Sequence, residues 1–411
     1  MKTKSPVLAA LLLPLILYGC ESFRDLGLEG IPRKAINTPS RYYDAVEVPE
    51  GYSMYVTAFE YPEGYDYIRD PLHGDGATIA LYRDGERILS MPADGLSPDE
   101  CRVVDGRLYT PARSGGATGI SCDGKPYLRY EGEESLVGMV SDGEALYTLG
   151  RNLSGTGFCC RKDGVEIFSS QRGVLVGPAD GDGPLRLDDD DCVFFYGQSL
   201  VSVGGSQSLY YMVRNGEESQ IGLPAGVVSV FDAVRLDGTV YVAASTSANS
   251  STAALLCDDS RVNLNKIGGS YAVFSGLRIF FMDSTVYVTG FQTIGAKVYR
   301  LVWNSQGKIV FRIECYDSHW IYPAPVGYYA VEREGDDILF SLGTTCLFRT
   351  GARFWSSRCA VCFGGGFYAA LTDPDGRSSS VYRSDGTVAL TVNGVITEVC
   401  FSALIVPSDD S

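Results

Sequence analysis

From residue 52 to residue 402 apolar and polar positions alternate with a period of two, in short runs separated by turn residues. Such alternation sends successive side chains to opposite faces of a strand. The runs recur as a unit: strand, Asp-Gly-like turn, strand. The turn falls at Asp84-Gly85, Asp123-Gly124, Asp163-Gly164, Asn215-Gly216, Asp258 to Ser260, Asn304 to Gly307, Thr350-Gly351 and Asp385-Gly386. A second tight turn precedes a Tyr-bearing strand at Asp105-Gly106, Asp142-Gly143, Asp237-Gly238, Asp283 to Val286 and Gly335-Asp336. Asp-Gly suits a two-residue hairpin because both turn positions take positive φ. Two hairpins per repeat, recurring about eight times, predict an all-β chain folded as a β-propeller of eight four-stranded blades. Seven blades is the alternative, because residues 173–191 break the pattern.

The spacing also orders the strands. With A innermost and D outermost, the first turn closes C–D and the second closes A–B. The variable B–C and D–A connections then emerge on one face of the disc. The array opens on strands B, C and D (from Tyr52 to Met91) and closes on an unpaired inner strand from Val395 to Ser402. The C-terminal strand is therefore expected to complete the N-terminal blade, removing the open edges at which sheets pair with other molecules.

Composition narrows the picture. Charged residues make up 20% and aromatic residues 11% of 411, and the 48 glycines and 26 tyrosines belong to strands and turns. The net charge of −16 repels phosphate backbones and excludes nucleic acid as a natural partner.

Ahead of the repeats, Lys2 and Lys4 precede an apolar run from Val7 to Leu17, too short to span a bilayer comfortably, which ends in Leu17-Tyr18-Gly19-Cys20. This resembles the lipobox of bacterial lipoproteins. The resemblance implies cleavage after residue 19, lipidation of Cys20, attachment to a membrane and, with Glu21 next, the outer membrane of a bacterial envelope. Residues 20–45 then read as the lipidated terminus and tether, 46–403 as the propeller and 404–411 as a tail. WD40 and kelch signatures are absent and no complete sialidase Asp-box is present. Lipobox and repeat together resemble bacterial lipoprotein propellers of poorly defined role.

Cysteines such as Cys159, Cys160, Cys192, Cys359 and Cys362 fall mostly in strands and are read as small buried hydrophobes, with one or two disulfides left open. Cys359 and Cys362 have metal-knuckle spacing, but positions three apart on a strand face opposite ways, so no metal site is expected. Cysteines at related positions of neighbouring blades are expected to lie beyond the roughly 7 Å limit for a bridge.

Catalytic signatures are sparse. The two histidines exclude a His-rich metal site, and no nucleophile elbow accompanies either. No cofactor is indicated. The acidic run Asp180, Asp182 and Asp188 to Asp191 lacks calcium-loop spacing and reads as a solvated loop. Both histidines fall in long loops on the variable face. One carries Tyr65, Tyr67, Arg69, Asp70 and His73; the other carries Tyr316, Asp317, His319, Trp320 and Tyr322. Rings beside Asp, Arg and His suit sugars as well as protein interfaces. The expectation is an anchored propeller binding a glycan or protein partner through this face. A glycoside hydrolase or polysaccharide lyase, with Asp70 and Asp317 as candidate carboxylates, and a non-catalytic scaffold are the alternatives.

Overall fold

The computed structural model describes residues 51–403 apart from 63–75, 94, 99, 154–156, 178–182, 189–190, 203–204, 259, 269–271, 283–284, 316–319, 325–326, 336, 344, 352, 355–356 and 365. It is an eight-bladed propeller of antiparallel sheets, and in every blade but the first the strands run in chain order from the axis outward. Blade 1 is closed as the repeat pattern requires: strand A is Gly394–Ala403, and Tyr52–Glu60, Thr78–Arg83 and Glu86–Pro92 follow as B, C and D. Tyr52 faces Ala403 at one rim, and Glu60 faces Gly394 at the other. Glu60 also faces Thr78, which faces Pro92. The B–C and D–A connections of this blade therefore share one rim, and the C–D turn lies at the opposite one, beside the start of Tyr52–Glu60 and the end of Gly394–Ala403.

The recurrent Asp has a local cause. Asp84, Asp123, Asp163 and Asn215 adopt φ of 49–50°, a region that Asp and Asn enter more readily than other side-chain-bearing residues. Each Oδ1 accepts the N–H of a residue near the start of strand B in its own blade: Met54, Leu108, Leu146 and Cys192, all at 2.8–2.9 Å. The turn residue's own N–H returns to the carbonyl of the same partner, again at 2.8–2.9 Å. The C–D hairpin is thus clamped to a third strand. The A–B turn at Asp142 is built differently: its carboxylate accepts the N–H of Glu144 and Ala145 at 2.9 and 2.7 Å.

Blade 7 departs from the expected register. Thr350-Gly351 does not close its C–D hairpin, and Gly335-Asp336 does not close its A–B hairpin. Its strands are Trp320–Ala324, Gly327–Glu334, Asp337–Leu342 and Thr345–Thr350. Residues 335–336 therefore join B to C, and the C–D turn lies at Gly343, whose N–H bonds the Tyr328 carbonyl at 2.8 Å. Only the backbone half of the clamp is left here. Thr345–Thr350 is the outermost strand, with Thr345, Cys346 and Leu347 all exposed. Residues 173–191 supply a blade rather than interrupt one: inner strand A of blade 4 is split into Val174–Val176 and Arg186–Asp188, both paired with Asp191–Ser202. Blade 8 is split likewise, Arg353–Phe354 and Ala360–Phe363 both pairing with Gly366–Thr372.

Apolar side chains meet in wedges between successive blades. Alternation along strand B of blade 1 feeds two of them: Met54, Val56 and Ala58 join the wedge with blade 8, while Tyr55 and Phe59 join the wedge with blade 2. Each buried apolar Å² stabilises by about 25 cal/mol, so both faces of an inner strand contribute. Cys359 and Cys362 also face different neighbours, although Cys359 ends the short 3₁₀ turn Ser357–Cys359 and only Cys362 lies on the strand Ala360–Phe363. Cys359 points its sulfur at the Ile396 carbonyl of blade 1 (3.3 Å), and Cys362 at the Tyr322 carbonyl of blade 7 (3.8 Å).

Around the axis, two acidic side chains bridge three blades each. Glu398 on strand A of blade 1 accepts the Val103 N–H of blade 2 at 3.0 Å and pairs with Arg358 of blade 8 at 3.4 Å. Asp232 on strand A of blade 5 accepts the Ile279 N–H of blade 6 at 2.8 Å and lies 3.9 Å from Arg186 of blade 4. Arg186 also donates to the Ala233 carbonyl at 3.1 Å. Buried charges need such pairing because an isolated one costs several kcal/mol.

Candidate functional site on the loop face

The residues expected to carry recognition divide into two groups. Tyr65, Tyr67, Arg69, Asp70 and His73, with Tyr316, Asp317 and His319, lie outside the described residues. Trp320 and Tyr322 are not loop residues: Trp320–Ala324 is the inner strand of blade 7. Tyr322 is 7% exposed, its ring 5.1 Å from that of Phe367 in the wedge with blade 8. It is a core residue, because alternation along this strand turns it towards the neighbouring sheet.

The root of the first loop is described and opens onto a cleft of about 510 Å³ between blades 8 and 1. Glu60, Tyr61 and Pro62 lead out of strand B, and Gly76 and Thr78 lead into strand C. The far wall is Thr391, Val392 and Asn393, where the chain crosses from strand D of blade 8 to strand A of blade 1. The volume lies within the usual range of roughly 300–1,000 Å³ for small-ligand sites.

Glu60 organises the polar part of this cleft. Tyr82 Oη donates to Glu60 Oε1, and Arg87 Nη1 donates to Oε2 at 3.0 Å. The Glu60 side chain is 16% exposed and that of Arg87 55%, so Arg87 keeps N–H groups facing solvent. Burial, then the Glu60 carboxylate, pushes the Tyr82 phenol up to about 12. Tyr82 is thus a hydrogen-bond donor at neutral pH and a poor base.

Other charged clusters are structural. Asp188, expected in a solvated acidic loop, is buried at 4% and pairs with Arg235. Asp191 takes Arg235 at 3.4 Å and also pairs with Arg214. Arg214 reaches Asp191 from the next strand of blade 4 and Arg235 reaches both carboxylates from blade 5, while Asp180, Asp182, Asp189 and Asp190 lie outside the described residues. Arg161 and Glu134 form a buried bidentate pair at 2.6 and 2.8 Å, with the Arg161 guanidinium 3.9 Å from the Tyr130 ring centre.

No family model matches the chain, and no curated protein does. Among solved structures it is similar to the dihydro-heme d1 dehydrogenase NirN in complex with DHE, at 12% identity and TM-score 0.47, over 85% of this chain and 75% of that one. It is also similar to the β-propeller domain of the Trilobed protease from Pyrococcus furiosus, at 12% identity and TM-score 0.37, over 65% of this chain and 82% of that one. Porphyromonas gingivalis dipeptidyl peptidase 4 aligns at 10% identity and TM-score 0.44, over 87% of this chain and 60% of that one. These are weak likenesses to other propellers, and no chemistry transfers from them.

Proposed function

We propose that this chain is a lipid-anchored recognition propeller that takes a hydroxyl-rich glycan on its loop face. The observation that carries the reading is the cleft at the root of residues 61–76, where Glu60 is oriented by Tyr82 and Arg87 beside Thr78, Thr391 and Asn393. A carboxylate with both oxygens engaged remains an acceptor for further donors, and Arg87 supplies donors next to it. Tyr61 and Tyr82 add ring surface. A lyase that uses tyrosine as its base needs a phenol that loses its proton readily, and the raised Tyr82 value opposes that rival. The anchor reading rests on the lipobox at Leu17 to Cys20.

Two experiments test this. The full chain, purified in detergent, is applied to a glycan array. A retained glycan family is expected, with Glu60→Ala and Arg87→Ala each weakening binding roughly tenfold or more, the size of a lost charge-assisted hydrogen bond. No retained glycan, or binding indifferent to both changes, returns the face to a protein partner or a scaffold role. Separately, metabolic labelling with palmitate should tag the chain and be abolished by Cys20→Ala; unlabelled wild-type chain would remove the anchor from the reading.

A further inference from the structure

We propose that Asn393 is a deamidation site, where an amide in the wall of the loop-face cleft turns spontaneously into a carboxylate. The chain holds two Asn-Gly pairs, Asn215-Gly216 and Asn393-Gly394. A glycine after asparagine carries no Cβ, which leaves its backbone nitrogen open to the preceding side-chain amide. The two pairs are placed very differently. Asn215 closes the C–D turn of blade 4 at φ 49°. Its Oδ1 accepts the Cys192 N–H at 2.8 Å, its Nδ2 donates to Asp191 at 2.6 Å, and its own N–H meets the Cys192 carbonyl at 2.9 Å. Both ends of that amide are held.

Asn393 has none of this support. Strand D of blade 8 ends at Val392 and strand A of blade 1 begins at Gly394, so Asn393 belongs to neither. The chain bends there, and the residue is exposed in the cleft wall. Thr391 close by is tied to Ser380 at 2.9 Å, whereas among the described residues no hydrogen bond reaches the Asn393 amide. Gly394 is fixed by contrast. Its φ is 148°, its carbonyl accepts the Ser379 hydroxyl at 2.7 Å, and a Cβ on it would lie 2.0 Å from the Phe59 carbonyl. The packing of blade 1 therefore demands glycine at this position. The rotations that bring Cγ onto the Gly394 nitrogen belong to Asn393, about bonds that no strand pairing restrains.

The Gly394 nitrogen, having given its proton to hydroxide, attacks Asn393 Cγ. A C–N bond forms, the Cγ–Nδ2 bond breaks, and ammonia leaves with a proton taken from water. The product is a succinimide ring, which water then opens. Attack of water at Cγ restores the peptide with aspartate in place of Asn393. Attack at the main-chain carbonyl carbon leaves isoaspartate, whose backbone runs through Cβ and Cγ. Water is consumed, ammonia is released and no electrons are transferred. Either product puts a carboxylate where the cleft had a neutral amide, beside Gly394, which faces Glu60. Isoaspartate also lengthens the link between blades 8 and 1 by a methylene. Like charges repel, so ageing makes the cleft more acidic whatever ligand it takes.

The test incubates the full chain in warm, mildly alkaline buffer, folded or in urea, and follows it by tryptic peptide mapping. The peptide from Ser384 to Ser411 holds one Asn and no Gln, so a gain equal to OH in place of NH₂ assigns the change to Asn393. In the folded chain this peptide should convert and become a substrate for an isoaspartyl methyltransferase. The peptide that begins at Asn215 should convert more slowly by roughly tenfold or more, because charge-assisted hydrogen bonds must break first. In urea the two should convert at similar rates. Asn393→Gln should leave the C-terminal peptide unchanged in the folded chain, with Asn215 still protected. An Asn393 that stays an amide in the folded chain overturns the proposal, whatever it does in urea. So does conversion of Asn215 in the folded chain as fast as that of Asn393.

Discussion

Asp123 shows how much one turn residue does. Its backbone accepts a left-handed φ of 50°, and its carboxylate satisfies the Leu108 N–H at 2.9 Å. Asp123→Ala removes the acceptor and leaves a Cβ-bearing residue in that conformation. Together these should cost about 2–3 kcal/mol, read as a lower urea midpoint at unchanged slope. Asp123→Asn, which keeps the acceptor as Asn215 does in blade 4, should recover most of the loss. Equal losses in both variants would show that the clamp is not what the carboxyl contributes. The sequence announces Asp-Gly as a hairpin turn because that follows from φ alone. The bond to strand B is not legible there, since it depends on a strand that the turn does not join.

At the scale of the strand, alternation carried most of the information. It located the four strands of most blades and the inward and outward faces of Tyr52–Glu60. It failed where a strand is short or cut. Val174–Val176 and Arg186–Asp188 are three residues each, too short to display a period, yet both pair with one long partner. In blade 7 the Thr350-Gly351 pair follows strand D and imitates a turn, while the turn itself rests on Gly343. The candidate cleft was half legible. Its position at the root of the first long loop follows from the strand order, but Asn393 and Thr391 reach it from the other end of the chain. Glu60 and Arg87 sit at strand ends that look like any other repeat.

For the whole ring, Gly394–Ala403 is the strand on which closure turns. It pairs along all of Tyr52–Glu60, supplies Ile396, Val399 and Phe401 to the wedge with blade 8, and carries Glu398. A chain ending at residue 393 leaves strand B of blade 1 as an open edge facing the axis. It should be recovered as aggregate or as a species expanded in size-exclusion chromatography, whereas a chain ending at residue 403 should elute as the full chain does. A compact, cooperatively melting product from the shorter chain would show that the ring does not depend on this fastening.

The pairing of Tyr52 with Ala403 also sets an orientation. The polypeptide enters and leaves the disc side by side, at the rim opposite Glu60 and the cleft. With a lipid on Cys20, roughly thirty residues of leash would rise from the bilayer to the underside of the disc. The cleft would then look outward, and a large polysaccharide could settle on it without passing between protein and lipid headgroups.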